Sequence, residues 1–282
     1  MAPRLLEAGY ALTVWNRTAE KAGRLVANGA NIAATPADVT AAADIVISML
    51  ADDAAVLDVF EGSDGLLSTS VEGKLFIEMS TLRPSTVVGL AERVQARGAS
   101  FVDAPVSGTV GPAREGQLLV LCGASDQDFE RAQPILEVFG RRIVRAGCVG
   151  QGALLKLVVN LPLAVYWGSL AEAIAMGKHG GLDLQLMLET IQDSSAALAV
   201  LPLKIPNILT SDGPVAFDVS GVQKDLLSML ETGTGLGVPM PATEAVLATY
   251  SAAADGGLAA ADAVEVVRFL AEHMTRHIAN QK

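Results

Sequence analysis

Aromatic residues are scarce in this chain of 282 residues: two Trp, three Tyr and seven Phe, 4% of the total. Its core must come mostly from Ala, Val and Leu, side chains suited to helices and to parallel strands buried on both faces. Basic charge is also short, with 20 Lys and Arg against 31 Asp and Glu and a net charge of -11. That balance argues against nucleic acid or an anionic membrane as a partner. An anionic ligand must be held by local donors instead. Only two cysteines occur, Cys122 and Cys148, both among apolar or small neighbours. The expectation is two buried, reduced thiols and no disulfide. The three histidines, His179, His273 and His277, form no metal set; the last two are four residues apart, but on a terminal helix. No leader peptide pattern is present, which leaves a reducing cytoplasm as the expected compartment. The longest apolar stretch, 153–176, is interrupted by Lys156, Asn160 and Glu172, which argues against a membrane span.

What is present falls into two patterns. Up to residue 146, short β-rich runs alternate with helical stretches. Strands are expected at 11–15, 44–49, 74–78, 100–103, 118–122 and 143–145, and helices at 19–28, 36–43, 52–60, 84–97 and 126–138. Such alternation implies a parallel sheet covered by helices on both faces. Beyond Gly147-Cys148-Val149-Gly150-Gln151-Gly152 no strand signal survives. A long helix over 152–178, kinked at Pro162, is followed by helices at 183–192, 196–210, 221–234, 241–254 and 262–277. The expected fold class is therefore α/β, with an all-α C-terminal domain. The boundary falls near 147, giving domains over 1–147 and 148–282.

The densest chemistry lies in Asp103-Ala-Pro-Val-Ser-Gly-Thr109 and the residues after it. A strand-like run ends there and passes into a loop with Gly108, Gly111 and Gly116. Ser107 and Thr109 place hydroxyls beside a permissive backbone at Gly108, and such a turn can offer N–H and O–H donors to a small anion. Lys156 and Asn160 are four residues apart, on one face of the long helix. A carboxylate cradle and a lysine in apolar company suit carbonyl chemistry. Taken alone, Lys156 reads better as a surface lysine on an amphipathic helix.

The N-terminus is unusual. Residues 1–9 read as the second half of a helix and 11–15 as a second strand, so a doubly wound sheet would here lack its first strand and its glycine-rich phosphate turn. A truncated start is the expectation. Strand 11–15 runs into Asn16-Arg17-Thr18, where an acidic residue would select a free ribose 2′-hydroxyl. Arg17 can instead form a planar fork to a 2′-phosphate, with Asn16 and Thr18 adding hydrogen bonds, which points to NADP(H) over NAD(H). The same residues also serve as a helix N-cap.

Taken together, the motifs resemble the β-hydroxyacid dehydrogenase family, over essentially the whole chain. Met1–Tyr10 is similar to the continuation of that family's glycine-rich opening. Ser48-Met49-Leu50-Ala51-Asp52-Asp53 resembles a cofactor loop, and Glu78-Met79-Ser80-Thr81 with Pro84 the segment passing the nicotinamide. Asp103–Thr109 resembles the substrate signature, Gly150–Lys156 with Asn160 the catalytic helix, and Gln223-Lys224-Asp225-Leu226 a second lysine motif. Thr109 departs from the Ser-Gly-Gly of many members and leaves the substrate branch open.

The resemblance implies a Rossmann-like doubly wound sheet, its first strand missing, and hydride transfer between NADP(H) and a small β-hydroxy acid or semialdehyde acid. NAD(H) is the alternative cofactor. Lys156 would be the general acid and base, its neutral form favoured by burial and by Lys224 as a second cation. Asn160 would orient the substrate, and Ser107, Gly108 and Thr109 would hold its carboxylate. Phe217 would line the pocket, unless it is ordinary core. Asn16, Arg17, Thr18, Met49, Leu50, Thr81 and Lys224 would touch the cofactor. The implied assembly is a homodimer or homotetramer. Two other readings stay open: a silent scaffold that has kept the fold, favoured by the missing phosphate turn, and an imine reductase-like enzyme, disfavoured by Lys156.

Overall fold

A computed structural model describes residues 1–211 and 213–273. Met1–Val159 forms one compact unit and Asn160–Lys282 a second. The first contains, in order, α1 (Ala2–Glu7), β1 (Thr13–Val14), α2 (Ala19–Gly23), β2 (Asn31–Ile32), α3 (Pro36–Ala42), β3 (Ile45–Ser48), α4 (Asp53–Glu61), β4 (Leu75–Glu78) and α5 (Pro84–Gln95). It continues through β5 (Ser100–Asp103), β6 (Val106–Ser107), α6 (Val110–Glu115), β7 (Leu118–Gly123), α7 (Asp126–Phe139) and β8 (Gly140–Gly147), and ends in the first turns of α8 (Gln151–His179). The helix starts follow from local chemistry. Thr35 and Asp38 form a reciprocal capping box on α3, while Asp52 and Ser125 cap α4 and α7.

β3, β4 and β5 run parallel with unbroken register, Ser48 opposite Glu78 and Glu78 opposite Asp103. All four residues of β4, Leu75-Phe76-Ile77-Glu78, are buried. Alternate side chains go to opposite faces. Phe76 packs with Val56, Phe60, Leu90 and Phe101, whereas Leu75 and Ile77 pack with Val102, Leu136 and Phe139. Both faces are thus covered, as a doubly wound sheet requires.

The sheet is mixed rather than wholly parallel, which corrects the expectation. β7 is antiparallel to both β5 and β6, and β8 is parallel to β7. The chain turns back through the short β6, with no helical crossover long enough to restore direction. β1 and β2 pair in parallel as a separate two-stranded sheet, and β3 ends the six-stranded one. The cysteine expectation is half right. Both thiols are free and Cys122 is buried, but Cys148 is exposed because it lies in the turn before α8.

The second unit is helical: the rest of α8, then α9 (Leu184–Gln192), α10 (Leu201–Thr210), α11 (Val219–Gly235), α12 (Pro241–Ala253) and α13 (Glu265–His273). α8 runs through Pro162 as one helix. By length and composition alone it could cross a membrane, with a mean hydropathy of 1.5. His277 lies outside the described residues; among those described, no group of three or more His, Cys, Asp or Glu could hold a metal.

Candidate active site

The carboxyl ends of β3, β4 and β5 lie side by side, the edge of an open α/β sheet where ligands bind. Three short polar segments leave from there. Each is fixed by a carboxylate or hydroxyl at the end of an otherwise apolar strand.

Asp103, the last residue of β5, is fully buried. Its Oδ1 accepts the Gly150 N–H at 2.9 Å and its Oδ2 the Ala153 N–H at 2.7 Å, with a further backbone hydrogen bond from Gly152. One carboxylate thus takes up the otherwise unpaired amides at the start of α8. The approach is so close that a Cβ on Gly152 would lie 2.8 Å from Asp103 Oδ2 and 2.9 Å from Gly123 N. Lys156 follows Ala153 by three residues, and although charged by nature it is only 8% exposed.

The turn over 104–109 begins at the next residue after Asp103. Ala104 N–H donates to Glu78 O at 2.7 Å, and Pro105 O accepts from Leu121 N–H at 2.9 Å. Ser107 ends β6 and Thr109 is the N-cap of α6, so the expected open loop contains a strand end and one short helix. Gly108 between them has φ +125°, and a Cβ there would meet Leu118 Cδ2 at 2.8 Å. Gly108 and Thr109 are exposed and Ser107 is half-buried.

The turn after β3 carries exposed Met49 and half-buried Leu50; the turn after β4 carries half-buried Thr81. They are tied together. Leu50 N–H donates to Ser80 Oγ at 2.7 Å, and Met79 N–H to Ser48 O at 2.8 Å. Buried Glu78 accepts the Ser80 N–H at 2.7 Å through Oε1 and the Ser48 hydroxyl through Oε2. Asn16, Arg17 and Thr18 are exposed after β1, and Asn16 Oδ1 accepts the Thr18 N–H at 2.9 Å. Asn16 therefore shapes the start of α2, while Thr18 occupies the N-cap position without a side-chain capping bond.

In the second unit, Asp225 on α11 is 2% exposed. Its Oδ2 accepts from Asn160 Nδ2 at 2.9 Å, and Lys224 Nζ lies 2.9 Å from its Oδ1. Asp225 thus joins Asn160 and Lys224, two residues singled out from sequence, and was itself missed. Phe217 is 40% exposed, so it is not core. Its backbone carbonyl accepts from Ala263 N–H at 2.9 Å, and Asp262, paired with Lys204 at 2.6 Å, accepts the neighbouring Ala216 N–H at 3.0 Å.

Burial pushes the Glu78 carboxyl up to about 7, against hydrogen bonds from Ser48 and Ser80 that favour its charge; Asp103 adds a smaller push in the same direction. Burial likewise raises Asp103 to about 6, opposed by the amides of Gly150 and Ala153. Both groups hold a proton more tightly in the fold than in the unfolded chain. Their stabilising contribution is complete below the ordinary carboxylate range and is lost as pH rises through about 6 and then about 7. Thermal unfolding should therefore show a melting temperature that falls between pH 5 and pH 8; a rise over that window would contradict this reading.

Comparison with known proteins agrees with this geometry. Residues 1–150 match the family model described as the NAD binding domain of 6-phosphogluconate dehydrogenase. Residues 150–270 match that of the NAD-binding of NADP-dependent 3-hydroxyisobutyrate dehydrogenase. Glyoxylate/succinic semialdehyde reductase 1 of Arabidopsis thaliana is 33% identical over 275 residues, covering 96% of this chain and 95% of that protein. The cytokine-like nuclear factor N-PAC of Homo sapiens is 31% identical, covering 88% of this chain and 45% of its own length. Among solved structures, 3-hydroxyisobutyrate dehydrogenase of Mycobacterium tuberculosis with L-serine superposes with a TM-score of 0.82 at 26% identity, over 95% of this chain and 94% of that one. With buried carboxylates at the strand ends, a lysine three residues past the Asp103 clasp and these matches along its length, the chain belongs to the β-hydroxyacid dehydrogenase family of oxidoreductases.

Proposed function

We propose that this chain is an NADP-preferring reductase or dehydrogenase of a small β-hydroxy acid or semialdehyde acid. The observation that carries the reading is Lys156: a lysine only 8% exposed, on a helix whose first turn is fixed by Asp103. An ammonium is withdrawn from water at a cost, and a proton-transfer role accounts for keeping it there. In this reading Lys156 Nζ gives a proton to the substrate oxygen during reduction and takes it back during oxidation. Ser107, Gly108 and Thr109 hold the carboxylate. Asn160, one helical turn beyond Lys156 on α8, is oriented by Asp225.

The described residues suit the two ends of a nicotinamide dinucleotide. Arg17 is exposed at the strand end where a 2′-phosphate would lie, and the tied turns at Leu50 and Thr81 would face the nicotinamide. When bound, the cofactor supplies or accepts the hydride.

The direct test is NADPH titration followed by a turnover screen of short semialdehydes and β-hydroxy acids. Arg17→Asp should weaken NADPH by about 10- to 100-fold, the scale of a lost charge-assisted contact, and leave NADH nearly unchanged. Equal losses for both cofactors would remove Arg17 from 2′-phosphate selection. A second reading, a binding protein without turnover, is favoured by the likeness to N-PAC, which is named as a nuclear factor. NADPH binding with turnover of any screened acid rules it out.

A homo-oligomer is part of the same proposal. Large apolar side chains stand in solvent on the helical unit, Leu203 at 76% and Met176 at 75% exposure, as a second copy would cover. Sedimentation velocity should give at least twice the 29.1 kDa chain mass; a monomer at micromolar concentration would contradict it.

A further inference from the structure

Glu78 occupies a place where an apolar side chain would be expected. It ends the buried strand Leu75-Phe76-Ile77 and is itself only 1% exposed. Burial works against its charge strongly enough to raise its pKa to about 7, so the position is a costly one for a carboxyl group. Both oxygens are nevertheless used. Oε2 takes the hydroxyl of Ser48 at the end of β3, and Oε1 takes the amide of Ser80 just beyond β4. The Ser80 hydroxyl then takes the Leu50 amide at 2.7 Å, closing a chain of bonds across the two turns. A second tie holds the same turns farther out: the Arg83 amide donates to Asp53 Oδ1 at 3.2 Å, with Arg83 Nε at 3.3 Å from the same oxygen. The charged group facing Glu78 from β5 is Asp103.

We propose that Glu78 is a positioning residue for the cofactor: its buried carboxyl group locks the turn after β3 to the turn after β4, so that Leu50 and Thr81 form one fixed wall for the nicotinamide half. The proposal rests on the reading that this chain binds NADP(H). Glu78 touches neither cofactor nor substrate in this scheme and acts through Ser48 and Ser80.

Three variants separate a lock from mere packing. Glu78→Gln keeps both bonds, accepting from the Ser80 amide and donating to Ser48. Glu78→Met keeps the bulk and removes the bonds. Ser80→Ala removes the Leu50 link and the Ser80 hydroxyl's own bond to Glu78, and leaves the carboxyl group with its Ser48 and Ser80 amide bonds. The readouts are NADPH affinity, the split of KM and kcat, and hydrogen exchange at the Leu50 and Ser80 amides in the cofactor-free chain. Glu78→Met and Ser80→Ala should raise the NADPH dissociation constant about five- to tenfold, the loss of one or two buried hydrogen bonds, and Glu78→Gln by less than about twofold. The acid substrate's KM should stay unchanged, and the Leu50 amide should exchange faster in Glu78→Met and Ser80→Ala only. NADPH binding at full affinity by Glu78→Met, or equal weakening by Gln and Met, overturns the lock while leaving the enzyme assignment standing. Absence of NADPH binding by the unsubstituted chain overturns that assignment and the cofactor role with it.

Discussion

Lys156→Ala should lower kcat by about 10²- to 10⁴-fold, the range of a positioned general acid, and leave NADPH affinity unchanged. Lys156 is 8% exposed and sits on the helix face that also carries Asn160. Hydride addition to a carbonyl leaves an alkoxide needing a proton, and a withdrawn amine can deliver one without waiting for bulk water. Lys156→Arg sharpens the test, because arginine keeps the positive charge and cannot release its proton near neutrality. If charge alone matters, the Arg variant turns over; if proton transfer matters, it fails as the Ala variant does. Stopped-flow reduction with NADPH would report the chemical step separately from product release. Retained turnover in Lys156→Ala would remove the residue from the mechanism.

Asp103→Ala should cause the largest loss of stability. It strands the amides of Gly150 and Ala153 in a buried site, along with the Gly152 bond. Each stranded donor costs about 1–3 kcal/mol, so the variant should lose roughly 4 kcal/mol. Against a typical stability of about 5–15 kcal/mol, that is a large fraction. The melting temperature should fall by about 10 °C. Asp103→Asn keeps one acceptor oxygen and should lose about half as much by the same per-bond figure. Where that variant folds, kcat and the KM for the acid should both worsen under the proposed function, because Asp103 holds the start of the helix carrying Lys156 and is the residue from which the 104–109 turn leaves. A melting temperature within 2 °C of the unsubstituted chain, about 1 kcal/mol at this size, would show that water or rearrangement replaces the clasp.

Much of the architecture was legible because burial leaves a pattern. Ser100–Asp103 and Leu75–Glu78 stand out as β-rich runs between Gly and helix signals, and both are strands. Asn31–Ile32 left no trace: two exposed residues show neither alternation nor an apolar run. Strand direction was equally hidden, since the side-chain pattern of β7 is the same whichever way its neighbours run. β8 extends to Gly140–Gly147, beyond the expected 143–145, because Arg141 and Arg142 are exposed and break the apolar signal. The helix expected from 196 begins at Leu201. Its apolar run Ala196–Val200 has helical composition, but the chain turns there.

At the site, the recognisable residues were those with reactive groups or permissive backbones: Lys156, Asn160, Lys224 and the 107–109 turn. The residues that hold them were harder to see. Glu78, Asp103 and Asp225 were all inside quoted motifs and none was given a role. Their signal was a single carboxylate ending or interrupting an apolar run, as in Leu-Phe-Ile-Glu and Ser-Phe-Val-Asp. Such an acid reads as a solvated strand end unless its amide partners, 47 to 50 residues further along the chain, are known.

Tying the start of α8 to the last residue of β5, from which the 104–109 turn departs, also divides the labour of change. Alterations near residues 103, 123 or 152 disturb both parts at once and offer no gradual route to a new substrate. Val110, in solvent at the start of α6, carries no such duty. Under the proposed function, a chain built this way can explore new acids around Val110 while Lys156 stays in place, so a library confined to that position should return folded, active variants far more often than libraries centred on the clasp.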